Sequence, residues 1–452
     1  MVAEWEAQLI HVRHWLYPLI YIVALAVHAE SSASKRCSCH PSANTSRVLQ
    51  DLRNLREFGA AAEHPLGVQR RALTPEDLQA RRWLAMKMTQ EANLDVYMDG
   101  IANMLGVHND GSNSGLVLLG SHTDTQPQGG WLDGALGVVY AIEAARAMME
   151  AGCQGRWAVA NWNDEEGRFG LVVGSASFVG LDHVTKPEEL LEARKEAKLL
   201  DLPQLHFNDS KLAPLYAYFE AHIEQGKRLE DSKTQIAVVT SIVGVRQYDV
   251  TFAGQQNHAG TTPMSVRRDA GLAAMRFASA LDEKFAAVCQ GRDTVWTFGQ
   301  LRMEPNVPSI VPGGAVLIVQ FRDPENSHMD KMEGELRHMV AAHRGAVGIE
   351  LGSRSGVRAT PMAPELQDMI AGAADTYALG NWTRLHSGAV HDATNLASVV
   401  PAAMMFVPSI NGVSHHFDEN TADDDIKVGS AVYVEAASAM VQASLGSFCH
   451  VG

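Results

Sequence analysis

The sequence is poor in cysteine and in positive charge, and it contains no long hydrophobic run. It has only five cysteines, an odd number with irregular spacing. This pattern argues against a disulfide framework or a thiolate zinc site, and it favours isolated thiols. The cysteines are Cys37, Cys39, Cys153, Cys289 and Cys449. The formal charge of −15 argues against a nucleic-acid or anionic-membrane partner. With 452 residues, 46% of them hydrophobic, the chain is globular and long enough for two domains.

The N-terminal segment differs from the rest of the chain. Its apolar run, Trp15–Val27, has 13 residues and is too short to span a bilayer comfortably. Arg13 before it and the small-residue site near Ala29 favour a secretory signal peptide, although early acidic residues weaken that pattern. An uncleaved anchor or a simple extension is the alternative. The cellular location therefore stays open between the cytoplasm and the secretory pathway. We expect the folded part to begin near Arg47, after a polar linker. No stable membrane association is expected for that part.

Hydrophobic periodicity divides the remaining chain in two. Predicted strands at 116–119 and 157–161 alternate with a helix at 134–149, which indicates an α/β sheet with ligands beyond the carboxyl ends of its strands. From about Ser241 the pattern changes to β-α-β-β-α-β, the order of a ferredoxin-like insert. A helix at 365–378 and a strand at 402–406 then resume the first domain.

Two adjacent glutamates, Glu165 and Glu166, follow the apolar run Trp157–Trp162. Side chains of neighbouring residues at a strand end diverge. One carboxylate can therefore bind a metal ion while the other acts as a general base. An isolated acidic pair usually only solvates a loop, so this interpretation depends on partners elsewhere in the chain.

Candidate partners lie in other glycine-containing segments. His122 follows a predicted strand, with the carboxylate of Asp124 placed to orient its ring. Asp133 stands at the mouth of a predicted helix, where one carboxylate can bridge two ions. His222 and one of the pair His415-His416 supply further imidazoles. Histidine and carboxylate ligands without cysteine fit zinc, with manganese or cobalt as alternatives.

Five segments together resemble the metal-dependent amidase branch of the M20 peptidase-like superfamily, from about Arg47 to the C-terminus. They are Gly120–Gly137, Asn163–Phe169, Ala221–Gly226, Asn257–Met264 and Ser387–Ala393. The resemblance implies an α/β fold, in which a zinc-peptidase-like catalytic domain carries an inserted ferredoxin-like α+β lid and dimerisation domain. The implied division is an N-terminal extension at 1–46, catalytic parts at 47–239 and 358–452, and the lid at 240–357.

The resemblance also implies two divalent metal ions, with zinc preferred over manganese or cobalt. Asp133 would bridge the ions, and Glu165 would act as general base. The ligands would be His122, Asp133 and His222 for the first ion, and Asp133, Glu166 and His415 for the second. A histidine at position 222 resembles the amidase branch more than the peptidases. The family commonly has one more residue before the Arg-Phe pair at Arg168, so the role of that arginine stays open.

Further residues match family positions that act on the substrate. His258 would stabilise the oxyanion, generally in the active site of the other subunit of a homodimer. Asn306 and Arg322 would hold the substrate carboxylate, which suits the planar fork of arginine. The pocket would also be lined by Gln225, Ser387, Gly388 and Ala389.

The expected activity is hydrolysis of the ureido C–N bond of N-carbamoyl amino acids, including N-carbamoyl-β-alanine. An allantoate or ureidoglycolate amidohydrolase is the nearest alternative, since it would use almost the same site, and the possible signal peptide slightly favours it. An M20 dipeptidase or aminoacylase is disfavoured by His222 and by the segment after His258. A non-catalytic binding protein on the same fold predicts loss of Glu165 or of a metal ligand, and the sequence retains all of them.

Overall fold

The computed structural model describes residues 39–108, 110–197, 202–205, 209–343 and 345–446. The predicted signal peptide and most of the predicted linker lie outside these residues. The α-helices are α1 Thr45–Arg56, α2 Pro75–Gln90, α3 Ala135–Glu150, α4 Val173–Phe178, α5 Pro187–Ala197, α6 Arg228–Ser232, α7 Ala270–Val288, α8 Asn326–Ala342, α9 Pro364–Tyr377, α10 Ala393–Leu396 and α11 Asp423–Gly446. None of the helices within these ranges is long and apolar enough to cross a membrane.

Most of the strands belong to one large mixed sheet or to a smaller antiparallel one. The strands are β1 Asp95–Met98, β2 Met104–His108, β3 Leu116–His122, β4 Arg156–Trp162, β5 Leu215–Ile223, β6 Ile236–Ile242, β7 Gly244–Ala253, β8 Asn257–His258, β9 Val295–Glu304, β10 Ile310–Val311, β11 Gly314–Asp323, β12 Gly348–Val357, β13 Thr360–Pro361, β14 Trp382–Ser387 and β15 Ala402–Val407.

The large sheet places the ends of four parallel strands side by side. Its order is β1-β2-β4-β3-β5-β15-β6-β13, with β14 paired to β6. Strands β4, β3, β5 and β15 are mutually parallel neighbours. Their carboxyl ends therefore share one edge, where loops from distant parts of the sequence meet.

Helices cover both faces of this sheet, as expected for a buried parallel arrangement. On one face α3 packs on β3, β4 and β5, and α11 packs on α3 and α9. On the other face α4 and α10 contribute to a second apolar cluster. Every residue of β3, β4 and β15 is buried, which explains why these strands are continuous apolar runs in the sequence. The mixed α/β prediction is confirmed.

The smaller sheet has the strand order β12-β7-β11-β9, all antiparallel, with α7 and α8 packed against it. It has its own apolar core, which includes Phe252, Phe285 and Phe321. The order of elements along the chain is the predicted β-α-β-β-α-β. The chain passes between the two sheets at Val243 and again at residues 358–359.

The prediction of isolated cysteine thiols is wrong for Cys39 and Cys153, which form a disulfide across a sequence separation of 114 residues. Cys289 is a buried free thiol. The chain also packs before the expected start at Arg47, because the backbone N–H of Asn44 donates to Glu143 and its side chain caps α1. Sequence spacing could not reveal the Cys39–Cys153 pair, because the two cysteines are distant in sequence and lie close together only where α1 packs on α3.

Candidate metal centre

Three of the predicted ligands converge at the strand ends. His122 is the last residue of β3, His222 is the last but one of β5, and Asp133 lies just before α3. The Nε2 atoms of His122 and His222 lie 3.6 and 3.0 Å from Oδ1 of Asp133. Each imidazole has its Nδ1 against a backbone oxygen, at 3.0 Å for His122 and 2.9 Å for His222. Both Nδ1 atoms therefore carry a ring hydrogen, which leaves the two Nε2 atoms as the ones that face the carboxylate and can bind a metal ion.

A second group shares the other oxygen of the same carboxylate. Nε2 of His415 lies 3.3 Å from Oδ2 of Asp133 and 3.5 Å from Oε2 of Glu166. The neighbouring His416 instead faces Asp418 and is 57% exposed. The two ligand sets, His122–Asp133–His222 and Asp133–Glu166–His415, thus overlap at Asp133 alone. This geometry distinguishes His415 from His416, which the sequence could do only by resemblance.

Gly134 makes the approach of Asp133 to His122 possible. It has a positive φ of 62° at the start of α3. A Cβ atom built there would lie too close to Nε2 of His122 and would overlap its ring. Only glycine therefore fits both the backbone conformation and the space at this position.

Glu165 is placed beside the first group. It is 7% exposed, and its Oε2 lies 3.8 Å from Nε2 of His122. Asp124 fixes the glutamate pair, because its two carboxylate oxygens accept the backbone N–H groups of Glu165 and Glu166 at 3.3 and 3.2 Å. The ring of His122 is oriented mainly by the backbone oxygen of Asp124, since the carboxylate lies 3.6 Å from Nδ1.

The centre has a surplus of buried negative charge. Desolvation raises the pKa of Glu165 well above its ordinary value and that of Glu166 to about 7. Burial alone would lower the pKa of His122, but carboxylates led by Glu165 outweigh it and raise that pKa well above the usual range. Protons or a cation are needed to balance such a cluster, and metal binding would displace the protons.

Two buried atoms at the centre lack hydrogen-bond partners within the described part of the chain: Nε2 of His122 and Oε1 of Glu166. An unpaired buried polar atom costs roughly 1–3 kcal/mol. Each atom belongs to a different ligand set. An imidazole nitrogen and a carboxylate oxygen are both ligand atoms that zinc, manganese or cobalt binds. The residues present therefore fit divalent metal ions.

The predicted pocket residues lie beside the centre. Nε2 of Gln225 donates to Oδ2 of Asp133 at 2.9 Å. Gln225, Gly388 and Ala389 line a cavity of about 290 Å³. The hydroxyl of Ser387 lies 2.9 Å from Nε2 of the buried His391, whose ring packs edge-on against the metal-ligand candidate His222.

Of the residues predicted on the insert, only Arg322 contacts a residue that lines the cavity. Arg322 is the last residue but one of β11, and its guanidinium donates to the carbonyl of Gly388 at 3.1 Å, next to the cavity. Asn306 and His258 are exposed. Nδ1 of His258 accepts the N–H groups of Gly260 and Thr261 within its own turn. Neither Asn306 nor His258 is part of the two ligand sets.

Sequence reasoning missed two residues that hold the centre in place. Nε2 of Gln126 donates to Oε2 of Glu166 at 2.7 Å. Glu419, which is fully buried, accepts the N–H group of Asp133 at 3.0 Å. Neither residue carries a local signal, because a glutamine or a glutamate in a polar loop is usually solvated.

Comparisons with known proteins identify the family. Residues 118–439 match the family model described as peptidase family M20/M25/M40. The chain belongs to peptidase family M20/M25/M40. It is 33% identical to an N-carbamoyl-L-amino-acid amidohydrolase of Paenarthrobacter aurescens, over 88% of this chain and 98% of that protein. It is also 33% identical to an allantoate amidohydrolase of Escherichia coli K12, over 84% of this chain and 94% of that protein.

A solved structure gives the same result for this M20-family chain. An amidase of the hydantoinase/carbamoylase family from Burkholderia phymatum superposes with a TM-score of 0.80 and 41% sequence identity, covering 90% of this chain and 100% of that one. The expectation of an M20-family hydrolase is therefore confirmed, and so is the resemblance to its amidase branch.

Proposed function

We propose that this M20-family protein is a binuclear metal-dependent amidohydrolase that cleaves the ureido C–N bond of N-carbamoyl amino acids, including N-carbamoyl-β-alanine. The observation that carries the proposal is the pair of ligand sets that share Asp133, with Glu165 next to His122. The similarity to an N-carbamoyl-L-amino-acid amidohydrolase supports the substrate class. Water and substrate would yield the free amino acid, carbon dioxide and ammonia.

Glu165 would act as the general base and acid. When bound, two divalent ions would lower the pKa of a water molecule and polarise the substrate carbonyl. The carboxylate of Glu165 is buried next to the ligands but belongs to neither ligand set, so it is free to take a proton from the attacking water. The same carboxyl group would then return that proton to the leaving nitrogen.

His258 would donate a hydrogen bond to the oxygen that becomes negative during the reaction. Since its Nδ1 accepts two backbone N–H groups, its hydrogen lies on Nε2 in the neutral ring. A neutral imidazole held this way is a ready donor, worth roughly 3–4 kcal/mol in an oxyanion site. Because His258 is exposed on the insert, we propose that it acts in the active site of a second copy, within a homodimer formed through residues 240–357.

Arg322 would hold the substrate carboxylate, with Asn306 as a second donor. The guanidinium already donates to a carbonyl beside the cavity, so a carboxylate there could replace that bond with a bidentate pair. Asp293 of the insert lies 3.5 Å from Arg228 and 3.7 Å from His386. Because the side chain of Asp293 is 61% exposed, these contacts are weak. Closure of the insert about the crossings at 243 and 358–359 would bring Arg322 and Asn306 toward the metal-ligand candidates.

The second candidate activity is that of an allantoate or ureidoglycolate amidohydrolase. It is favoured by the 33% identity to an allantoate amidohydrolase over 395 residues, which equals the identity to the carbamoyl amino acid enzyme. Both substrate classes present a ureido group and a carboxylate. The metal ligands cannot separate the two, so only the walls of the cavity and the insert can.

Ammonia release separates the candidates. The protein, loaded with zinc, manganese or cobalt, is assayed with N-carbamoyl-L-amino acids, N-carbamoyl-β-alanine, allantoate, ureidoglycolate and a dipeptide. We expect the carbamoyl amino acids to give the highest kcat/KM. Preference for allantoate or ureidoglycolate would establish the second candidate, and dipeptide cleavage without ureido turnover would exclude both.

The glutamate pair gives a matched test of the assigned roles. Glu165→Gln should keep both metal ions and lose roughly 10²- to 10⁴-fold in kcat, because only the proton transfer is removed. Glu166→Gln should lose metal content as well. An active Glu165→Gln variant would show that another group is the base.

Mixing inactive variants tests the proposed role of His258 in a dimer. Co-expressed Glu165→Gln and His258→Ala chains should recover about a quarter of the wild-type sites, because half of the dimers are mixed and each has one intact site. The control pair Glu165→Gln and Glu166→Gln should recover none. Absence of recovery in mixed dimers would show that His258 serves its own chain, and full activity of the His258→Ala protein alone would show that it has no role.

A further inference from the structure

Glu419 lies in the loop between β15 and α11 and is fully buried despite its charge. Its Oε1 accepts the backbone N–H groups of Asp133 and Leu132 at 3.0 and 3.3 Å. Its Oε2 accepts the hydroxyl of Ser414 at 2.8 Å. A buried carboxylate is tolerated only when its oxygens are satisfied by donors, and here three donors meet it.

These bonds connect two loops that are 286 residues apart in sequence. One loop carries Asp133, which belongs to both ligand sets, and the other carries His415 directly after Ser414. The hydroxyl of Ser414 also lies 3.3 Å from Oδ2 of Asp133. Glu419 therefore fixes the separation between the two ligands without belonging to either ligand set.

The space around the carboxylate is as restricted as its bonding. Gly130 packs so closely that a Cβ atom there would overlap the side chain of Glu419. The carboxyl group is thus enclosed by the loop it supports. Movement of either loop would break its hydrogen bonds.

The two ligand sets depend on this connection to different degrees. His122 and His222 are each held at Nδ1 by a backbone oxygen next to the end of a buried strand. His415 is 51% exposed and sits in a loop at a positive φ of 52°. Loss of Glu419 should therefore release His415 from Asp133 while the first set stays in place.

We propose that Glu419 is a positioning residue that sets the occupancy of the second metal position, formed by Asp133, Glu166 and His415. It does so by joining the loop of Asp133 to the loop of His415. This inference rests on the proposed binuclear function. Removal of such a supporting partner typically weakens metal binding 10- to 100-fold.

The test compares Glu419→Ala and Glu419→Gln with wild type by metal content after dialysis and by titration with Co²⁺, followed in the visible spectrum. Glu419→Ala should bind the first ion normally and the second roughly 10- to 100-fold more weakly. Glu419→Gln should restore the second ion, because its amide oxygen can accept the N–H groups and its amide nitrogen can donate to the oxygen of Ser414.

A matched control separates positioning from general stability. Glu143 is also fully buried and pairs with Arg47 and Arg146. None of these three residues belongs to a ligand set. Glu143→Gln should lower the thermal midpoint and leave both Co²⁺ affinities unchanged. If Glu419→Ala does not fold, Ser414→Ala removes only the hydroxyl that joins the loops and should weaken the second ion selectively.

The outcomes distinguish the inference from the proposed function. A wild-type protein that binds two ions, with Glu419→Ala or Ser414→Ala binding both equally tightly, would overturn the inference alone. Equal weakening of both ions would also overturn it, because the effect would then be general. A wild-type protein that takes up only one ion would overturn the binuclear proposal and the inference with it.

Discussion

Reduction of the Cys39–Cys153 disulfide should destabilise the protein without changing its active site. The bond closes a loop across a sequence separation of 114 residues. In the chain-entropy model a loop of roughly 100 residues contributes about 4.7 kcal/mol, and measured losses on removal of native disulfides are about 2–5 kcal/mol. We therefore expect Cys39→Ser and Cys153→Ser each to lower the free energy of unfolding by about 2–5 kcal/mol.

Other contacts should keep the native structure of this segment in the reduced protein. The carbonyl of Cys39 accepts a hydrogen bond from Gln442 at 2.7 Å, and Arg47 pairs with Glu143 at 2.7 Å. The loss should therefore come mainly from the greater freedom of the unfolded chain, and kcat should not change. None of these residues belongs to the ligand sets.

Denaturant unfolding with and without a reducing agent measures the effect. The double Cys39→Ser, Cys153→Ser variant should match either single variant, and reductant should not affect it further. Cys289→Ser, at the buried free thiol, is the control and should show an unchanged response to reductant. Peptide mapping that finds both thiols free in protein purified under oxidising conditions, or a wild type insensitive to reductant, would refute the reasoning.

Two further predictions concern pH and the metal centre. Burial raises the pKa of Asp99 to about 6 from 3.8, so the folded state binds more protons than the unfolded state between those values. Relative to Asp99→Asn, wild type should therefore lose about 2 kcal/mol of stability from pH 4 to 7. A difference that is constant with pH, measured by urea unfolding, would contradict this. Gly134→Ala should abolish metal binding, because the new methyl group displaces His122. The control is Gly152→Ala, at a similar φ of 66° with open space around it, which should cost only about 1 kcal/mol of stability. Equal metal content in the two glycine variants would refute the steric explanation.

The disulfide also bears on where the protein folds. Disulfides form and persist in oxidising compartments and are rare in the cytosol. The pair at Cys39 and Cys153 therefore favours the secretory alternative that the N-terminal apolar run suggested. The pattern of five cysteines gave no indication of it, since only the fold brings these two together.

Much of the candidate metal centre could be located from the sequence because of the way parallel sheets are built. His122, the glutamate pair and His222 each follow a run of buried apolar residues, and the carboxyl ends of parallel strands share an edge. Side chains alternate between the two faces of a strand, and this period decides which residues near the strand end can face the candidate site. Asp133 was predictable from the glycines around it and from its place before a helix.

The loops beyond those strands could not be predicted in the same way. His415 and His416 are adjacent and chemically identical, and only the conformation of their loop turns one toward Asp133. The role of Glu419 depends on contacts with a loop 286 residues away. Such contacts leave no periodic signal in the sequence.

The sequence by itself determined the α/β architecture, the two-part pattern of elements and the identity of the metal-ligand candidates, because hydrophobic periodicity and strand-end chemistry are local properties. Tertiary structure alone decided the partner of Cys39, the choice of His415 over His416 and the supporting bonds of Asp124, Gln126 and Glu419. These features arise from residues that are distant in sequence and meet only when the helices and loops pack around the sheet.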